Sequence, residues 1–160
     1  MSLKLVLNYG YLARYVGQVI HFSVSFPIMV IVCAYFWTVY VIDRDLIYPA
    51  KIESFYPQWV SCIEHGLVFP IGLLNTVHCP FKMSKSMSCC VLWASSVGYF
   101  VWLCHIFNVT GKWVYPFMHA LGDGGVEYYL FPASLVIVSI IQQLGWKINE
   151  IAHPVKEKNT

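Results

Sequence analysis

The stretch PQWVSCIEHGLVFPIGLLNTVH, residues 57–78, is apolar and long enough to cross a bilayer, yet Glu64 and His65 stand side by side inside it and Pro70 follows. Ionisable side chains in a membrane span are costly to desolvate, so they are functional candidates by default. His65 lies about eight residues from the nearer end of this run, roughly 12 Å deep at the helical rise. A neutral imidazole is tolerated there if it has a partner, and it can act as a general base. Pro70 has no N–H to give to the carbonyl of Gly66, so an acceptor one residue from His65 must be met by protein or water. Together these residues suggest a small polar pocket within the membrane. The same pattern fits a packed, hydrogen-bonded histidine between helices, and spacing alone leaves both readings open.

Other chemistry-bearing residues are weaker candidates. Glu64 is turned ~100° from His65 on a helix, so it points at a different neighbour or stays protonated. Cys62 shares the His65 face, but no third ligand spacing supports a metal site or a Cys–His dyad there. His105 falls inside a later apolar run and could face the same pocket, which would allow a proton relay with Glu64 and His65. No broken-helix pair or inverted repeat supports such a transporter. His21, His78 and His119 read as solvated interfacial histidines. There is no HxxHH or HExxH arrangement and no CxxC pair, so neither a metal nor a cofactor is expected. The six cysteines read as small buried hydrophobes, although Cys79, Cys89 and Cys90 flank a short basic loop where acylation is conceivable. Asn108-Val109-Thr110 is formally a glycosylation acceptor at the membrane edge.

The elements that must position these residues follow from composition. The 160 residues are 58% hydrophobic and 11% charged, with a mean hydropathy of +0.61. A soluble domain is nearer 45–50% apolar and ~25% charged, so the bilayer is the expected partner and solvent. The net charge of +2 does not suggest nucleic-acid binding. The pattern predicts an all-α membrane protein, one helical bundle over 1–160 with about four transmembrane spans, near 19–42, 57–78, 87–109 and 126–146. Residues 1–18 read as an interfacial lead-in and 147–160 as a polar tail. Leu3 to Leu7 is too short an apolar run for a cleavable signal peptide. Pro27 should kink the first span. Four spans put both termini and the 79–86 loop on one side. That side carries Lys4, Arg14, Lys82, Lys85, Lys147, Lys156 and Lys158, against Arg44, Lys51 and Lys112 on the other. The positive-inside rule then assigns both termini to the cytosol.

Several stretches resemble the androgen-induced-gene family of membrane proteins, the FAR-17a type. They are Phe26-Pro27, FW at 36–37, DRDLIYP at 43–49, PQW at 57–59, His65 with VFP at 68–70, VTGKWVYPF at 109–117 and LG at 144–145. The resemblance runs from about residue 16 to about residue 152. It implies a multi-pass protein of about six spans with cytosolic termini, in the endoplasmic reticulum, other endomembranes or the plasma membrane. It also implies an intramembrane hydrolase of fatty acid esters of hydroxy fatty acids, with a threonine nucleophile and a histidine. The histidine carries over onto His65. The threonine belongs to an early helix ahead of the equivalent of residue 16, so the chain looks like a member lacking the first two spans, with catalysis impaired. Thr38 lies at a depth similar to His65, but relatives are apolar there. Glu64 stands where relatives are usually neutral, and Gly66 where they often carry a hydroxyl. A non-catalytic, regulatory or scaffolding membrane protein is the alternative.

Overall fold

The computed structural model describes residues 3–81, 83–119, 121–122 and 124–154. Lys82, Lys156 and Lys158, which entered the charge balance, lie outside these residues, as do Asp123 and the tail from residue 155. Among the described residues the regular elements are all helical. α1 (Leu3–Ile20) runs without a break through a π-helical turn, His21–Ser25, into α2 (Phe26–Ile42). α3 is Gln58–His78, α4 is Lys85–Thr110 and α5 is the short Pro116–His119. A second π-helical turn, Val126–Leu130, leads into α6 (Phe131–Ala152). Four stretches are long and apolar enough to cross a membrane: Gly10–Ile42, Gln58–His78, Lys85–Thr110 and Val126–Ala152. The lead-in read from the sequence as interfacial is therefore helical and continuous with the first span.

The kink expected at Pro27 takes the form of the π turn. A proline ring clashes with the carbonyl four residues back, and widening the turn by one residue relieves that clash. The Phe26 N–H bonds back to the His21 carbonyl, five residues away. In that register Pro27 has no N–H for the carbonyl of Phe22. The donor comes from another helix: Gln142 Nε2 of α6 lies 3.3 Å from the Phe22 carbonyl. The same amide also donates to the Ser88 carbonyl at 3.2 Å and to Ser88 Oγ at 3.1 Å. Ser88 Oγ in turn meets Ser23 Oγ at 2.9 Å. Gln142, Ser88 and Ser23 are fully buried, so α1–α2, α4 and α6 are tied together by one polar knot where neither lipid nor water supplies partners. The second π turn also precedes a Phe-Pro pair, Phe131-Pro132, and the Phe131 N–H bonds back to Val126.

α2 packs on both α3 and α6, which also meet each other. α2 and α3 run antiparallel, with the Gln58 amide donating to the Tyr40 hydroxyl at one end and His21 2.9 Å from Thr76 at the other. Gly72 brings the two helices close, since a Cβ there would occupy the place of the Met29 thioether. Gly145 does the same for α6, where a Cβ would come within 2.8 Å of the Phe26 ring. Small residues at such contacts are how membrane helices approach. Asn149 of α6 then caps the end of α3. Its amide donates to the carbonyls of Thr76 (2.6 Å) and Cys79 (2.7 Å), and its oxygen accepts from the Phe81 N–H (2.8 Å). These are the carbonyls that a helix terminus leaves without intrahelical donors.

Replacing Gln142 by leucine removes the donor and leaves the Phe22 and Ser88 acceptors buried. It should cost about 1–3 kcal/mol, read as a lower midpoint of thermal unfolding in a mild detergent. Gly145→Val should lower the midpoint by a comparable overpacking cost of roughly 1–3 kcal/mol. An unchanged midpoint in Gln142→Leu would contradict the knot.

Candidate functional site

His65 lies on the face of α3 that meets α2. Its ring stacks on Phe36, with centroids 4.0 Å apart and planes 15° from parallel. The ring is half-buried, and Phe36 beneath it is buried. Trp37 fixes the backbone of the same residue, its indole N–H donating to the His65 carbonyl at 3.1 Å. The sequence leads one to expect an orphan acceptor at Gly66. The cross-helix donor instead arrives one residue earlier, and the Gly66 Cα faces the same indole, which a Cβ would meet at 3.8 Å. A methyl group at 66 would therefore sit in ordinary contact with the indole, and it is the hydrogen bond to the His65 carbonyl that holds Trp37 against α3. Among the described residues no hydrogen-bond partner holds the imidazole nitrogens. The ring is oriented by stacking and its nitrogens are left open to a further group.

The loop of residues 43–57 braces this end of the bundle. The Asp43 carboxylate accepts from the Asp45 N–H at 3.0 Å, starting a 3-10 turn over Arg44–Leu46. Arg44 pairs with Glu53 at 2.8 Å and lies over the Tyr48 ring, 5.2 Å from its centroid. Tyr48 is 3% exposed and its hydroxyl donates to the Tyr56 carbonyl. Tyr56 in turn donates its hydroxyl to the Glu64 carboxylate. Glu64 is therefore engaged by the loop rather than by a neighbouring helix, on the exposed side of α3 away from the His65 ring. DRDLIYP is in this way a self-folded clasp that fixes where α3 begins.

The second loop covers the same end. Gly111 closes α4 in the left-handed region at φ +67°. Trp113 stacks on Phe107 at 4.3 Å, and its N–H donates to His119 Nε2 at 3.1 Å. Phe117 stacks on Tyr35 of α2 at 5.7 Å, one residue from Phe36. Leu103, Met118 and Val126 form the small core beneath. VTGKWVYPF thus folds back onto the helix that carries the His65 platform.

Other residues singled out from the sequence are placed elsewhere. His105 is exposed on α4, beside Trp102, and α4 packs on the first π turn and α6, so it does not join His65. Thr38 is exposed and two residues past Phe36, on the side of α2 turned away from His65. His21 is mid-helix and half-buried rather than solvated, bonded to Thr76. Asn108 sits in the last turn of α4. Among the described residues no group of three metal-ligating side chains is found. Ser61 was not anticipated. It is one helical turn before His65, shares its face and is 4% exposed. Its signal in the sequence is the i, i+4 spacing to His65.

A bundle of apolar helices with a histidine held at acyl-chain depth defines a multi-pass α-helical membrane protein. A family model described as FAR-17a/AIG1-like protein matches residues 11–150, and the chain belongs to that family. The androgen-induced gene 1 protein of Homo sapiens is 35% identical over 127 residues, covering 78% of this chain and 52% of the relative. The androgen-dependent TFPI-regulating protein of Mus musculus is 34% identical over 143 residues, 86% of this chain and 62% of the relative. The human protein of that name is 31% identical over 142 residues, covering 85% and 61%. The chain spans a little over half the length of these curated relatives. No solved structure matches it.

Donation to the Glu64 carboxylate pushes the Tyr56 phenol above the ordinary tyrosine value, and burial pushes the Tyr48 phenol the same way. A group whose value is raised by folding contributes stability that is complete below its unfolded value, about 10 for tyrosine. That contribution is lost as pH rises through the folded value. The clasp should therefore hold through pH 10 and open above it. In ultraviolet phenolate titrations, Tyr56→Phe should remove a tyrosine that ionises above pH 10. Loss of a tyrosine ionising at or below 10 would contradict the Tyr56–Glu64 contact.

Proposed function

We propose that this chain carries the general base of an intramembrane hydrolase of fatty acid esters of hydroxy fatty acids, with His65 as that base. The observation that supports this most is the ring of His65, fixed against Phe36 at the depth of lipid chains with its nitrogens unengaged. At that depth a fatty ester enters laterally from the bilayer and water is scarce, which strengthens charge stabilisation at the reacting carbonyl. In the proposed reaction His65 takes the proton of a hydroxyl nucleophile, whose oxygen attacks the ester carbonyl. The hydroxy fatty acid leaves with that proton, and water activated by the same imidazole releases the acyl group. Family resemblance assigns the nucleophile to a threonine of an earlier helix. Within these residues Ser61 is the hydroxyl that shares the His65 face.

Membranes containing the chain should hydrolyse a branched fatty ester, and His65→Ala should lower the rate by roughly 10²-fold or more. Equal rates in both would remove His65 from the reaction. Ser61→Ala separates the two nucleophiles, because only an intrahelical one is lost with it. A second reading, a non-catalytic regulatory or scaffolding protein, is favoured by the outward position of Thr38. Robust labelling by a fluorophosphonate probe would count against it.

The same proposal includes an orientation. Both chain ends would face the cytosol, in the endoplasmic reticulum, other endomembranes or the plasma membrane, supported by the seven-to-three excess of Lys and Arg at that end. Epitope tags at either terminus should be digested in intact microsomes without detergent. Protection of both tags would reverse the orientation.

A further inference from the structure

A cleft of about 510 Å³ opens between α1, the first π turn and the end of α3, at the end of the bundle remote from the two covering loops. Thirteen residues of α3 separate His65 from His78, which lines this cleft, so it lies roughly 20 Å from the candidate base. Its depth follows from helix lengths. α3 has 21 residues, about 31 Å, which matches a ~30 Å hydrocarbon core. The stretch Gly10–Ile42 has 33 residues, about 50 Å, and overshoots that core by some 20 Å. α2 is registered against α3 from Tyr40–Gln58 to His21–Thr76. The overshoot is therefore α1, and the cleft it forms with Asn75 and His78 lies at the level of lipid headgroups.

Its chemistry suits an anion. Arg14 and His78 line it, and no carboxylate does. Among the described residues the Lys and Arg ion pairs are Arg44–Glu53 and Lys85–Glu150, and Arg14 belongs to neither. His78 is tied to its own helix, Nδ1 donating to the Leu74 carbonyl at 2.8 Å, which leaves the guanidinium of Arg14 as the charged donor of the cleft. The amide of Asn75 and the phenols of Tyr11 and Tyr15 add neutral hydrogen-bonding groups. Gly17 keeps the wall low, since a Cβ there meets nothing within 4 Å.

We propose that this cleft is a binding site for the phosphate headgroup of an anionic phospholipid of the adjoining leaflet, with Arg14 as the principal charge partner and Gly17 providing the room. Guanidinium groups pair with phosphate oxygens in a fork geometry that a point charge does not offer. The acyl chains of such a lipid would run along the exposed apolar flank of α3.

The test is native mass spectrometry of the full chain released from bilayers holding equal phosphatidylglycerol and phosphatidylcholine. Phosphatidylglycerol should be retained over phosphatidylcholine by about fivefold, the factor expected of one basic residue near a membrane surface. Arg14→Gln should bring the ratio near one. Gly17→Phe should lower retention of both lipids, and circular dichroism reports whether that variant is folded; if it is not, Arg14→Gln alone decides. Equal retention of the two lipids by the unmodified chain, or an unchanged ratio in Arg14→Gln, overturns the proposal. Displacement of the lipid by millimolar inorganic phosphate would make this a soluble-phosphate site, and displacement by oleate a carboxylate site. Either result also overturns it.

Discussion

The proline at 27 leaves a buried backbone carbonyl, that of Phe22, which another helix satisfies, and much of this fold is organised by that contact. The Phe22 carbonyl and its partners are buried inside the bundle, so a donor must be delivered by a side chain whose own helix is held at the right height. Pro27 fixes the height of α6 through Gln142, and Gln142 in turn fixes α4 through Ser88. Near Pro70, the indole of Trp37 reaches across from α2 to the His65 carbonyl. In water such contacts would add little to burial. In lipid they select one vertical register among many that apolar packing alone would accept, because tails are as apolar as the helix faces.

The candidate site inherits its geometry from this register. His65 is not gripped by hydrogen bonds to its ring. It is placed because Phe36 and Trp37 are consecutive on a helix whose height is already set. The two loops act from outside, one through Tyr56 on Glu64 and the other through Phe117 on Tyr35. Glu64 becomes the anchor of a surface clasp. Its neighbour His65 is turned inward, and two adjacent ionisable residues thereby serve two different layers.

How far the sequence reveals this differs from one residue to the next. The all-α membrane class follows from composition, since 58% hydrophobic residues cannot be hidden in one small soluble core. The family is legible in DRDLIYP and VTGKWVYPF, because loop motifs record specific turns and contacts that apolar spans do not. His65 stands out as an ionisable residue in an apolar run. Its platform does not, because Phe36 is one of many aromatics, and only tertiary register distinguishes it. Gln142 carries the same signal as His65, a polar side chain within a span, yet its role depends on a proline 115 residues earlier. His21 looks interfacial when the first span is taken to start near residue 19. It becomes a mid-helix residue because the helix continues back to Leu3. His105 and Thr38 have the right depth but the wrong azimuth, and depth is all that residue counting supplies.

The first π turn has a geometric effect apart from hydrogen bonding. An additional residue in one turn sets every later side chain back by about 100° around the axis relative to an uninterrupted α-helix. The stripe by which α1 faces the end of α3 is therefore out of phase with the stripe by which α2 faces α3 and α6. One continuous rod thus presents two differently aimed surfaces, as if twisted at residues 21–25. The turn works as a phase shifter, letting a single helix meet one set of neighbours in the hydrocarbon layer and another at the membrane boundary without the chain having to break and turn.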